Sequence, residues 1–182
     1  MIEMVANNKI TKAIRDMPAS VRQGVFFGLN AGVITTTGVL AGIAQTTTNP
    51  LLIIVSVVSL AISDGASEAF SLFISKKAEK TTDKTEEPFN ASITLLLTKA
   101  IIVLSFLIPL LFTKSLKYFK NLVWPIGWSF FLLFILDLML SKMRNEQLTD
   151  YLIPHIIVVG LVLASTKIFG SFIDKLQKTK TK

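Results

Sequence analysis

An all-α, polytopic membrane bundle of five helices is the fold class this sequence predicts, and three observations carry the prediction. Mean hydropathy is +0.60, with 51% of residues hydrophobic and only 17% charged. The apolar residues gather into blocks of roughly twenty, the length a helix needs to cross a bilayer, instead of following the amphipathic period of a soluble core. All Lys and Arg residues but Lys99 and Lys167 fall outside the blocks. The absence of cysteine excludes disulfide frameworks, thiolate metal sites and cysteine nucleophiles. The net charge of +7 comes from basic residues scattered over loops and tail, the pattern of segments that meet anionic headgroups. It gives no reason to expect a nucleic-acid partner.

The elements follow in order. Residues 1–23 read as a cytoplasmic amphipathic segment, without the apolar core of a cleavable signal. "GVFFGLNAGVITTTGVLAGIA" (24–44) is span one, closed by the uncharged hairpin "QTTTNP". Span two, "LLIIVSVVSLAISDGASEAFSLFIS" (51–75), follows Asn49-Pro50, a capping residue with proline at the first helical position. As a helix it is ~37 Å long, so it tilts or projects beyond the hydrocarbon core. The charged stretch "KKAEKTTDKTEEPFN" is an aqueous linker. "ASITLLLTKAIIVLSFLIPLLF" (91–112), "LVWPIGWSFFLLFILDLML" (122–140) and "PHIIVVGLVLASTKIFGSFI" (154–173) are spans three to five, and residues 174–182 are a basic tail. No internal repeat is present, and an odd number of spans argues against a simple duplicated transporter.

Lys and Arg in the loops set the orientation. With the N-terminus inside, Lys9, Lys12, Arg15, Arg22, Lys76, Lys77, Lys80, Lys84, Lys142 and Arg144 are cytoplasmic. They outnumber Lys114, Lys117, Lys120, Lys175, Lys178, Lys180 and Lys182 on the outer side. Trp124 and Trp128 are then expected in the outer aromatic belt, and Lys167 near the outer end snorkels.

The remaining charge lies at one depth. Counting ~1.5 Å per residue puts Glu68, Lys99, Asp137 and His155 within roughly 12 Å of the inner boundary, with Asp64 a turn deeper. A charge inside a bilayer costs at least ~2.5–3.5 kcal/mol and is therefore paired or facing water. Lys99 with Asp137 is expected to clamp spans three and four. His155, directly after Pro154, reads as a headgroup-level residue at a helix start. Asp64 and Glu68 stand four residues apart on one helix face, and Lys99 is expected to neutralise only one of them well. Ser67, Ser71 and Ser75 extend the same polar flank, which suits a wet path or a hard-cation site. The competing reading is structural pairing, or exposure of an overlong helix. In span one, Gly24, Gly28 and Gly32 repeat every four residues, a spacing that lets helix backbones approach closely in lipid. Asn30 and the threonines 35–37 place uncharged polar groups at mid-span. They fit either a tight helix contact with hydroxyls bonded back to the backbone, or a pathway beside span two across a two-fold axis.

"GLNAGVITTTGVLAGIAQ" followed by "SDGASEAFSLFISKKAEK" resembles the first two spans of the vacuolar iron transporter family of divalent metal transporters. The motif covers about 55 of the 182 residues, and the five-span layout covers the rest loosely. The resemblance implies a dimeric five-helix bundle that moves ferrous or manganous ions, in exchange for protons. It assigns the metal to Asp64 and Glu68, with Asn30, Thr35, Ser67 and Ser71 along the path. It also implies a homodimer through span one, and no permanently bound cofactor. The acid typical of span one falls on Ala31 here, and the linker is too short for the cytosolic metal-binding insert, leaving Glu79, Glu86 and Glu87 as a remnant at most. Two expectations remain. One is a proton-coupled transporter of iron(II) or manganese(II) in the cell membrane of a prokaryote, or in a vacuolar or other endomembrane of a eukaryote. The other is a non-transporting assembly or regulatory protein that keeps the bundle. A proton-coupled exporter of organic cations lacks the aromatic surround it would need. One histidine, no cysteine and no phosphate-binding glycine loop give no support to an enzyme.

Overall fold

The computed structural model describes residues 9–46, 49–79, 87–108 and 123–180. Residues 1–8 of the amphipathic segment, Lys80, Lys84 and Glu86 of the linker, residues 109–112 of span three, Lys114, Lys117 and Lys120, and Lys182 lie outside the described residues. A short helix α1 (Lys9–Arg15) precedes five long ones: α2 (Ala19–Thr46), α3 (Pro50–Ala78), α4 (Pro88–Ser105), α5 (Val123–Arg144) and α6 (Thr149–Lys180). Among the described residues there is no strand, and all five long helices are long and apolar enough to cross a membrane. The chain is an all-α polytopic membrane bundle.

Local chemistry explains the helix ends. Asn49 caps α3 by accepting from the Leu51 N–H at 2.9 Å, with Pro50 at the first helical position, where its missing N–H costs nothing. Pro88 plays the same part in α4. The last residue of α5, Arg144, is followed by Asn145 in the left-handed region (φ 56°), and the Glu146 N–H returns to the Ser141 carbonyl. That is the Schellman arrangement, in which an Asn tolerates the positive φ that a glycine more often supplies. It turns the chain directly into α6, which starts at Thr149. His155 is therefore well inside a helix and not at its start. Pro154 leaves only the Asp150 carbonyl without its helical donor, a loss borne near the helix end.

The bundle is organised around α2, which packs on all four other spans and is the most buried of them, while α6 is the least. The glycine stripe faces α4. A Cβ built on Gly28 would stand 2.6 Å from the Leu95 carbonyl oxygen, and one on Gly24 would collide with the Ala91 carbonyl. One on Gly32 would touch Ile102 at 3.2 Å. Rising numbers meet rising numbers, so α2 and α4 are parallel. Gly38 against Val162 and Gly42 against Thr166 make α6 parallel to α2 as well. Thr37 bonds Ser129 while Asn30 shares a cavity with Leu136 and Leu140, so α5 is antiparallel to α2. Lys99 meets Asp64 and Glu68 while Phe89 lies with Phe73, so α3 is antiparallel to α4. The start of α2, the end of α3 and the α5–α6 turn therefore share one end of the bundle. Val33, Leu40, Val57, Val103, Phe106 and Leu133 form the core. Ile62, Phe70, Ile101, Leu161 and Phe169 lie on the outside, apolar as lipid contact requires.

Trp124 and Trp128 stack at 5.1 Å between ring centroids. Their indole N–H groups donate to the Phe106 carbonyl (3.2 Å) and to Ser105 Oγ (2.8 Å). Both rings thus fasten α5 onto the end of α4, satisfying carbonyl and hydroxyl groups the helix end leaves open.

Candidate functional site

The ionisable groups form two clusters on opposite sides of α2, not the single network expected from their shared depth. The first joins α3 to α4. Lys99 is completely enclosed, and its Nζ lies 2.5 Å from Asp64 Oδ2 and 2.6 Å from Glu68 Oε2. Asp64 and Glu68 keep 32% and 26% of their side-chain surface exposed. The contact to Asp64 is a hydrogen bond. Glu68 Oε2 is held by charge alone, without hydrogen-bond alignment. With all three groups ionised the cluster carries one negative charge in excess. Ser67 and Ser71 lie exposed on the same helix, and the Ser71 hydroxyl donates to the Ser67 carbonyl at 2.8 Å. Among the described residues no group of three or more His, Cys, Asp or Glu side chains stands close enough to hold a metal ion.

The second cluster joins α5 to α6. Asp137 is fully enclosed, and its Oδ1 lies 2.6 Å from His155 Nδ1. The clamp expected between Lys99 and Asp137 is therefore not made. Lys99 is level with Gly28 and Gly32, whose bare backbone lets α4 come close, and that face of α2 points away from α5. Lys99 stands within ion-pair distance of both acids, because one turn of α3 sets both carboxylates beside it, but only Asp64 receives a hydrogen bond.

Asn30 and Thr37 of α2 make their contacts with α5 and α6 and not with the acid pair. Asn30 lines a cavity of about 370 Å³ together with Gln23, Phe26, Tyr151 and His155. Thr35, Thr36 and Thr37 each donate to the carbonyl four residues back, at 2.6–2.7 Å, which satisfies hydroxyls that lipid could not. Thr37 also bonds Ser129 on α5. Gln23 and Tyr151 were not anticipated. Their signal was spacing alone, since Gln23 lies two turns before Asn30 and Tyr151 one turn before His155.

Compared with models of protein families, with curated proteins and with solved structures, the chain shows no match.

Proposed function

We propose that the chain is a membrane transporter of divalent metal cations, with Asp64 and Glu68 as the exchange carboxylates and Lys99 as a tethered cation that holds their place. One observation carries the reading: an enclosed ammonium within 2.6 Å of two carboxylates that stay partly open on their other side. Two acids and one lysine leave one negative charge unmet at membrane depth, which a mobile cation or a proton must answer. Carboxylate and hydroxyl oxygens suit hard divalent ions, and Ser67 and Ser71 supply hydroxyls beside the pair. The resemblance of the first two spans to vacuolar iron transporters narrows the cargo to iron(II) or manganese(II). Ala31 leaves Asp64 and Glu68 without a third acid from α2. The basic residues Lys12, Arg15, Arg22, Lys76, Lys77, Lys142 and Arg144 favour a cytoplasmic face at the end where α2 begins. A homodimer through span one would use a face of α2 other than Gly24, Gly28 and Gly32, which α4 of the same chain fills.

Purified protein in liposomes tests the transport reading. Uptake of Mn²⁺ or Fe²⁺ is expected, and Glu68→Gln abolishes it while the variant stays folded. Flux no greater than in protein-free liposomes, for both ions and under every imposed pH gradient, overturns the proposal.

The second reading, a non-transporting assembly or regulatory subunit, draws on the same ion triad, because Lys99 already occupies both acids. It expects the double variant Asp64→Asn, Glu68→Gln to keep its cellular phenotype, and a phenotype lost while the protein level stays normal counts against it.

A further inference from the structure

Across α2 from the acid pair lies a cluster the cation reading does not use. Asp137 sits at zero exposure in the same helix as the core residues Leu133 and Leu136. Its Oδ1 meets His155 Nδ1 at 2.6 Å, while its buried Oδ2 has no hydrogen-bond partner. His155 keeps 15% of its side chain exposed and lines the 370 Å³ cavity. Asn30 lines that cavity too, and its Oδ1 is a second buried acceptor without a donor.

We propose that Asp137 and His155 form a proton-binding site that loads and empties through this cavity. A carboxylate closed off from water in a membrane bundle needs a positive charge or a proton of its own. Among the described residues, those that line the cavity beside the pair bring no fixed cation. From α2 come Gln23 and Asn30, both uncharged; from α5, Leu136 and Leu140; from α6, Tyr151, whose hydroxyl is bonded to Glu146. Glu146 in turn stands 4.0 Å from Arg144 at the exposed α5–α6 turn, and α1 keeps Lys12 exposed. The group placed to hold a proton against Asp137 is the His155 ring, 2.6 Å from its Oδ1.

The proton count follows. Loaded, both ring nitrogens carry hydrogen, Nδ1–H donates to Asp137 Oδ1, and the pair is neutral. Emptied, the proton has passed from Nε2 to a water molecule in the cavity, and the pair carries one negative charge. The imidazole is bonded to the enclosed carboxylate and also lines the cavity, so it is the way in and out. The acceptor left open on Asn30, which lines the cavity, suits water, which supplies the donor it lacks.

The chain has one histidine, so ¹⁵N-histidine labelling reports this ring alone. In lipid nanodiscs, NMR is expected to show the ring changing reversibly between doubly and singly protonated forms as bath pH is cycled over the range where the protein stays folded. Asp137→Asn is expected to change the pH interval of that transition, and Asn30→Leu, which fills the cavity, to slow exchange between the forms. A ring that keeps one form throughout overturns the proposal, and the wild-type protein alone suffices for that test where Asp137→Asn fails to fold. A transition identical in Asp137→Asn removes the pairing, and an unchanged rate in Asn30→Leu removes the cavity as the route. The inference does not depend on metal transport: no metal flux with a titrating ring sinks the cation reading and leaves this one standing.

Discussion

At the scale of single residues, Lys99 is the side chain on which the charge of the α3–α4 contact depends. It is enclosed, and without it Asp64 and Glu68 stand one turn apart with no cation between them. Removing one partner of a buried ion pair typically costs ~3–5 kcal/mol, and the partial exposure of the acids trims that here. Lys99→Met keeps the length of the side chain and removes the charge, so we expect a lower melting temperature in detergent. We also expect Mn²⁺ to restore part of it, since a divalent ion then fills the place of the ammonium. The triple variant Asp64→Asn, Glu68→Gln, Lys99→Met carries no charge at the site and should recover most of the wild-type stability without metal. A Lys99→Met protein as stable as wild type would remove the ammonium as the element that holds the acids. Depth-counting along the sequence found every member of both clusters, because height in a helix is a matter of residue number. It paired Lys99 with Asp137 as well as with the acid pair, because height says nothing of direction around the bundle. That direction depends on which helix packs on which, and only the glycine face of α2 hinted at it.

At the scale of elements, the spans were legible because each is an apolar block with Pro, Asn or charge at its borders. The structure starts α6 at Thr149, five residues ahead of the apolar block, because the Schellman turn at Asn145 hands the chain directly to a new helix. Apolar composition marks where lipid begins, whereas hydrogen bonding decides where a helix begins, and the two need not coincide. The glycine spacing of α2 announced a close helix contact without naming the partner, since α3, α4, α5 and α6 are all apolar enough to fill it. Its energetics can be read from the backbone. Ala is a better helix former than Gly by ~1 kcal/mol, so Gly→Ala stabilises wherever space allows. Gly127 and Gly160 have nothing within 4 Å of an added Cβ, and Ala there is expected to be neutral or stabilising. At Gly28 the added carbon meets the Leu95 carbonyl at 2.6 Å and the Lys99 backbone nitrogen at 3.1 Å, both main-chain atoms that give way only if the helices part. Gly28→Ala should therefore lose ~1–3 kcal/mol, the usual range for overpacking. SDS titration of the folded protein in mild detergent measures all three variants, and equal midpoints for Gly28→Ala and Gly127→Ala would show that α2 and α4 are not in close contact.

At the scale of the whole molecule, alternation of helix direction and distribution of charge are separate statements that one experiment can test separately. The packing of α2 against α4, α5 and α6, and of α3 against α4, puts the end of α3 and the α5–α6 turn on the same side as the start of α2, with the end of α2 on the other. This follows from residue-to-residue contacts and owes nothing to a lipid environment. Which side is cytoplasmic rests instead on Lys and Arg. Among the described residues Lys12, Arg15, Arg22, Lys76, Lys77, Lys142 and Arg144 gather at the first end, while the tail of α6 brings Lys175, Lys178 and Lys180 to the second. Basic residues close to the first span weigh most in orientation, which favours a cytoplasmic first end. The chain contains no cysteine, so single cysteines can be introduced without a background. In sealed right-side-out vesicles, an impermeant maleimide should label Gln45→Cys and leave Ala78→Cys and Gln147→Cys untouched until the membrane is opened. Labelling of Ala78→Cys and Gln147→Cys with Gln45→Cys protected would reverse the orientation but keep the bundle, and would place both ion clusters nearer the outer face. Labelling that separates Ala78→Cys from Gln147→Cys would contradict the helix packing itself, and with it the shared depth of Lys99 and Asp137.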